Sequence, residues 1–315
     1  MKTIKLFVMA FALLAFSLYT AAQVTTAQIR EQIAKGECET AQSLYNVYKA
    51  MNGANKTIER EIAECKSKGN SNFGDDLTFT VNGVSFTMKP VEGGTFWMGA
   101  QNTNPRGINY DSEASDDASV HRETVGSFYM GETEVTQALW EAVMGTTIRQ
   151  QRDKQDPSEP LCGEGADYPM YYVSRDEWLV FIQELNRLTG NDFRLPTEVE
   201  WEYAARGGNL SSSAKYAGSY SIEKVAWYAD NSNDKAHLVK SKSPNELGLY
   251  DMSGNVQEYY QETEIFPCFR GGSWDSEKKF CCVWARCYSA SFRIVNGIFY
   301  DTVNKNTGLR LCFSW

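Results

Sequence analysis

Eight cysteines, two histidines and 40 acidic side chains hold most of the chemistry available to this chain of 315 residues. Their spacing excludes several reactions at once. No C-x-x-C pair is present, so a zinc ribbon or a thioredoxin-like redox site lacks its ligands. His121 and His237 are too few for a non-haem iron centre, which needs several imidazoles. No glycine loop that could cradle phosphate opens a helix, and there is no G-x-S-x-G elbow. Glycosidase-like carboxylate pairs arise by chance in so acidic a chain, where most such residues are solvated faces. Cys281 and Cys282 follow Ser273 and Ser276 along the chain, and Asp251 and Glu258 stand either side of Gly254.

Composition limits what these groups can meet. Hydrophobic content of 42% and charged content of 23% fit a soluble globular protein long enough to bury a large core. Lys2 and Lys5, the apolar run Leu6 to Leu18 and the small residues Thr20-Ala21-Ala22 read as a secretory signal peptide over residues 1–22. That run is too short to span a bilayer, and no later segment is long enough. Removing the two lysines moves the net charge from −9 to −11. Such acidity argues against nucleic acid or an anionic membrane as partner. All eight cysteines lie beyond the leader, in a compartment that permits disulfides.

The elements that must position these residues fall into two parts. Residues 23–66 read as a helical hairpin module, opening on the capping-box pattern Thr25-Thr-Ala-Gln28 and turning at Asn52-Gly53. Cys38 and Cys65 are nearly equidistant from that turn. A Cys38–Cys65 disulfide would clamp the open end and contribute roughly 3 kcal/mol through the unfolded chain. A polar linker covers 67–76, and the second part runs from 77 to 315. There Phe79, Val81, Asn82-Gly83, Val84 and Phe86 predict a β-hairpin. Thr136 predicts the cap of one helix. Ser174-Arg-Asp-Glu177 and Thr197-Glu-Val-Glu200 are capping boxes for two more. Beyond residue 208 the chain is rich in Gly, Asn, Ser and aromatics, with short strands and long loops. The fold class expected is α+β.

Long ordered blocks then carry a resemblance. Phe128-Tyr-Met-Gly-Glu-Thr-Glu-Val-Thr-Gln-Ala-Leu-Trp140, Phe193-Arg-Leu-Pro-Thr-Glu-Val-Glu-Trp-Glu-Tyr-Ala-Ala-Arg206, Gly248-Leu-Tyr-Asp251, Arg270-Gly-Gly-Ser-Trp274 and Gly308-Leu-Arg-Leu311 resemble the formylglycine-generating enzyme (sulfatase-modifying factor) family. The resemblance spans about Phe79 to Leu311 and implies a loop-rich α+β domain related to C-type lectins. It implies a calcium loop at Asp251, Gly254, Val256 and Glu258, which suits a hard cation that takes carboxylate and carbonyl oxygens. Its oxidases hold copper between two cysteines in G-G-S-[YW]-x-C-x4-C. Here Ser273 and Cys281 match, but Ser276 replaces the first cysteine and Gln257 replaces an expected tryptophan. A soft copper(I) ion wants two sulfurs, so copper is not expected.

Between the two framing motifs, residues 275–303 mix aromatic, basic and small residues without a steady period. This arrangement is similar to the variable proteins of diversity-generating retroelements, which display a ligand-binding surface there. Divergence of an idle groove is the other reading of the same stretch. The candidate surface comprises Asp275, Lys278, Lys279, Trp284, Arg286, Tyr288, Phe292, Arg293, Phe299 and Tyr300, and its Trp, Tyr and Arg side chains are the types that dominate binding hot spots. The function expected is therefore an exported binding scaffold for a protein, peptide or other extracellular ligand. The alternative is a formylglycine-generating oxidase that keeps Cys281 as a metal thiolate. Pairing among Cys162, Cys268, Cys281, Cys282, Cys287 and Cys312 is open, with 15 connectivities for six cysteines.

Overall fold

Helix starts follow the side chains that can satisfy their free N–H groups. The computed structural model describes residues 24–34, 38–69, 74–114, 119–261, 268–288, 292–295, 298–301 and 303–314, with backbone alone for 38–39, 63–69, 268, 288, 292–295 and 298–301. The chain divides into two compact units, one ending at residue 73 and one running from 74 to 315. The leader expected at 1–22 lies outside the described residues.

The first unit contains α1 (Thr26–Ala34), α2 (Cys38–Asn52) and α3 (Lys56–Gly69). Gln28 and Thr25 exchange the hydrogen bonds of a capping box. The Tyr45 hydroxyl, two turns from the end of α2, accepts from the Asn55 amide at 2.8 Å and donates to Glu59 at 2.9 Å. These bonds fold α3 back onto α2. Ile29, Ala41, Tyr45, Ile58 and Ile62 form the small core between the helices. α3 continues to Gly69, into the stretch read as linker. Cys38 opens α2 and Cys65 lies within α3, but their side chains fall outside the described residues, so the Cys38–Cys65 bridge stays an expectation.

The second unit is the α+β domain expected. Its main sheet has the order β1 (Leu77–Val81), β2 (Val84–Val91), β5 (Phe128–Gly131), β13 (Cys312–Phe313), β6 (Phe193–Arg194), antiparallel throughout. The C-terminal strand thus fills the middle of the sheet. A second sheet places β12 (Thr307–Leu309) parallel to β7 (Gln257–Tyr259), followed by β8 (Cys268–Arg270) and β9 (Arg286–Tyr288). Two hairpins complete the strands, β3 (Gly94–Met98) with β4 (His121–Val125), and β10 (Phe292–Val295) with β11 (Ile298–Asp301).

Four helices support these sheets: α4 (Gln137–Met144), α5 (Ile148–Gln155), α6 (Arg175–Thr189) and α7 (Glu198–Ala205). Thr136 caps α4, and both expected capping boxes form on α6 and α7. α6 buries Trp178, Phe181, Ile182 and Leu185, one stripe at helical spacing, against Trp140 of α4. α7 buries Trp201 to Ala205 and so runs through the second core rather than along its surface. α5 was not expected: its Thr147–Gln150 capping box starts a helix whose body, IRQQRDKQ, offers hardly an apolar stripe. Among the described residues, no helix is long and apolar enough to cross a membrane.

Candidate functional site

The acidic loop lies between a turn and β7. Asp251 adopts φ 58° and Asn255 φ 61°, a left-handed backbone that short polar side chains tolerate. Gly254 is required here for closeness of packing. A Cβ on it would sit 2.2 Å from the Trp227 carbonyl oxygen, at φ +78°. The neighbour that Gly254 admits is the backbone of Trp227. Asn255 ties the loop down: its amide donates to the Trp227 carbonyl, its carbonyl accepts from Trp274, and its side chain accepts from the His237 amide. Val256 is fully buried and packs over Gly308.

The two carboxylates of the loop have unequal surroundings. Glu258 accepts from Arg310 Nε at 2.9 Å, Arg310 Nη2 at 2.7 Å and Trp201 Nε1 at 2.6 Å. Asp251 uses Oδ2 to accept from the Lys240 amide at 2.9 Å, while its buried Oδ1 has no partner among the described residues. Glu134, which the sequence reading did not single out, is 1% exposed, and neither of its carboxylate oxygens has a partner among the described residues. Burial, then the charge of Asp251, pushes the Glu134 carboxyl well above the usual range. Burial with help from Glu258 pushes Asp251 up to about 6. A cleft of about 370 Å³ is lined by Glu134 together with Glu132, Asp167 and Lys240. Among the described residues, no three His, Cys, Asp or Glu side chains converge as a metal cage on their own. Any cation here would therefore draw on main-chain carbonyls as well.

The glycine-serine turn is built differently. Ser276 Oγ lies 2.8 Å from Ser273 Oγ and accepts from the Ser273 amide at 3.0 Å. Ser273 Oγ donates to Asp275 at 2.6 Å, and Asn306 donates to both Asp275 oxygens. The hydroxyl at position 276 is thus a structural tie within the turn. Cys281 is fully buried, and a Cβ at Gly272 would fall 2.9 Å from its sulfur. Burial, then the thiols of Cys287 and Cys282, push the Cys281 pKa far up. Burial likewise takes Cys282 up to about 12 and Cys287 up to about 11. Cys282 sits among Lys215, Tyr216 and Asp111, a setting separate from that of its neighbour. Cys162, Cys281, Cys282, Cys287 and Cys312 are all free, buried thiols, and thiols so protonated are poor nucleophiles.

The structure divides the expected binding surface. Asp275, Lys278 and Lys279 are exposed. Trp284 is not: it is 6% exposed, and its indole N–H donates to Asp111 at 3.2 Å. Arg286 is held by Glu198 at 2.5 Å. Both are corrected from displayed residues to wall and frame, because a carboxylate distant in sequence claims each polar head. β9, β10 and β11 carry Tyr288, Phe292, Arg293, Phe299 and Tyr300, whose side chains fall outside the described residues.

A buried frame holds the turn in place. Arg270 is fully buried and donates to Glu198 at 2.8 Å, to Glu202 at 2.9 Å, and to the carbonyls of Val283 and Ala285. It therefore ties α7 to the segment after Cys281. Burial alone would raise the Glu202 carboxyl, but Arg206, Arg270 and the Gly99 amide together draw it below the usual range. The signal for this frame lay in the motifs themselves, where each framing glycine run carries one arginine. The carboxylate partners had no such mark.

Comparisons with known proteins agree with this architecture. A family model described as the sulfatase-modifying factor enzyme 1-like domain matches residues 82–311. Chaperone protein LppX of Paenibacillus barcinonensis is 28% identical over 265 residues, 68% of this chain and 84% of its own length. Inactive C-alpha-formylglycine-generating enzyme 2 of Bos taurus is 28% identical over 137 residues, 38% of this chain and 44% of the bovine protein, so the match spans less than half of that relative. Among solved structures, Treponema denticola variable protein 1 aligns with a TM-score of 0.57 at 28% identity, covering 76% of this chain and 99% of that one.

Proposed function

We propose that this chain, which belongs to the sulfatase-modifying factor enzyme 1-like family, uses the family's domain to hold a binding surface and not to oxidise a substrate cysteine. One observation carries the reading. The position that would supply a second thiol is Ser276, whose hydroxyl is engaged by Ser273, and the remaining thiol of Cys281 is sealed and protonated. A copper(I) ion held between two cysteines takes two soft sulfur ligands. This turn offers one buried thiol and one hard oxygen, so the residues do not fit copper. The similarity to a protein named a chaperone, to an inactive family member and to a variable protein supports the same reading. The surface proposed is the exposed edge Asp275, Lys278 and Lys279 together with the β9–β11 segment. Its ligand is a protein, a peptide or another extracellular molecule, and the chain is exported by its leader.

Calcium is proposed as a structural ion of the acidic loop. Its support is the Asp251 Oδ1 and the two Glu134 oxygens, hard donors without a hydrogen-bond partner among the described residues, in a cluster where the one arginine, Arg310, is bonded to Glu258. Gly254 and Val256 would add carbonyl oxygens. Glu258, already bonded to Arg310 and Trp201, is the least available of the four expected ligands. Bound calcium would supply positive charge that fixes the loop, and it takes part in no reaction here.

The oxidase alternative is tested directly. The native protein, incubated with a cysteine-containing sulfatase peptide and oxygen, should bind no copper(I) through sulfur and convert no peptide. Stoichiometric copper binding with oxygen consumption would overturn the scaffold reading. Ser276→Cys should gain copper(I) binding if the groove survives without its chemistry.

A further inference from the structure

A second cleft, of about 300 Å³, lies apart from the acidic loop, between residues 109–112, residues 213–215 and Tyr220, with Trp284 and Arg206 in its lining. Its charges are already spent on one another. Lys215 Nζ bonds Asp111 at 2.9 Å and Glu113 at 2.6 Å, and Asp111 also accepts from Trp284. Arg206 gives Nε to Glu202 and Nη2 to the Gly99 carbonyl. A charged ligand would have to break these pairs, and a wholly apolar one would strip water from them without replacing its hydrogen bonds.

The rim has another character. Tyr220 is 71% exposed and Tyr110 40% exposed. The Tyr220 hydroxyl donates to the carbonyls of Ser212 and Ser213, at 3.2 and 3.1 Å, so the ring stands tethered by its tip with its body open to solvent. Asn109 and Ser213, one in each flanking loop, adopt φ 52° and φ 59°. Short polar side chains tolerate this left-handed backbone. Aromatic plates above a polar wall of cancelled charge match a molecule with apolar faces and many neutral hydroxyls.

We propose that this cleft binds the end of a neutral saccharide, with a pyranose ring on the Tyr220 and Tyr110 rings and its hydroxyls exchanging hydrogen bonds with Asp111, Lys215 and Arg206. The inference rests on the binding reading above and adds to it a saccharide site apart from the edge at Asp275, Lys278 and Lys279. Because no residue of the acidic loop lines the cleft, binding is independent of calcium.

The full chain is applied, in the presence of EDTA, to an array of neutral, sialylated and sulfated glycans, and the best neutral glycan is then titrated by calorimetry. Tyr220→Ala and Tyr110→Ala, both at exposed positions, should each weaken binding at least tenfold with unchanged melting curves. Val180→Ala, at an exposed position on α6 outside the cleft, should leave it unchanged. The proposal is overturned if no neutral glycan binds, if only charged glycans bind, or if both tyrosine variants bind as the native chain does. A displayed peptide library enriched at this cleft, with no glycan bound, would also overturn it while leaving the scaffold reading intact. Oxidation of a cysteine peptide alongside retained glycan binding would do the reverse.

Discussion

Two buried charge clusters occupy the α+β unit, and they are satisfied in opposite ways. Around Arg270, every carboxylate has a guanidinium partner: Glu202 is shared by Arg270 and Arg206, and Glu198 by Arg270 and Arg286. Around Asp251, one arginine, Arg310, is spent on Glu258, and three carboxylate oxygens of Glu134 and Asp251 have no partner among the described residues. The first cluster is complete within the chain and positions α7 against the glycine-serine turn. The second is incomplete. An unsatisfied buried polar group costs about 1–3 kcal/mol, more when charged, so it needs a proton or a cation from outside. The difference separates carboxylates that the chain balances itself from carboxylate oxygens that it leaves without a partner among the described residues.

The largest effect should come from breaking the complete cluster. Arg270→Met leaves the fully buried Glu202 with half its countercharge and removes two carbonyl contacts. Loss of one partner from a buried pair costs about 3–5 kcal/mol, read as a lower denaturant midpoint. In chelator, Glu134→Gln should by contrast be neutral or stabilising, because it replaces a buried carboxyl whose oxygens have no hydrogen-bond partner among the described residues. Equal losses from the two substitutions would erase the distinction between the clusters.

Next in size is the response to calcium. A cation that binds only the folded state at a hundred times its dissociation constant adds about 2.7 kcal/mol. Differential scanning calorimetry of the native chain should show that rise on replacing EDTA with calcium. Asp251→Asn and Glu134→Gln should abolish it, while Arg270→Met should keep it. An unchanged melting temperature in the native chain would remove the calcium reading and leave Glu134 as a buried neutral acid.

Gly254→Ala comes third. Its methyl would lie 2.2 Å from the Trp227 carbonyl, at a φ that side chains seldom adopt, so about 1–3 kcal/mol should be lost. The same shift in the loop should weaken the calcium response, which a change confined to the Arg270 cluster would not do.

What the sequence revealed follows the range of the interactions. Capping boxes at Ser174 and Thr197 join residues three apart, so a short window contains both partners. The Asn82-Gly83 hairpin and the α6 stripe are equally local. α5 escaped because its signal was one capping box without the apolar period that makes a helix visible. The site was legible at its glycine motifs and not at its charges. Trp284 looked displayable because its partner Asp111 lies 173 residues away. Glu134 was hidden inside a block read for its resemblance, and only the fold sets it beside Asp251. Nothing in the pattern of a sequence distinguishes a carboxylate that is paired from one that is not.

The smallest effect is also the sharpest, since pH should move the two clusters in opposite directions. Glu202 has a depressed pKa, so it contributes stability above its ordinary value of 4.5, and that contribution is lost as pH falls through the folded value. The deficit of Glu202→Gln relative to the native chain should therefore be largest at neutral pH and shrink in acid. Asp251 is raised from 3.8 to about 6. Its penalty is absent below the unfolded value and fully present above the folded one. In chelator, the advantage of Asp251→Asn over the native chain should thus grow as pH climbs from about 4 to about 6 and then level off. Saturating calcium should invert that trend, because a bound cation favours the ionised carboxylate. Parallel pH profiles for the two variants would mean that Arg310 balances Asp251 as fully as the arginines balance Glu202, and the contrast between the clusters would fail at its most direct test.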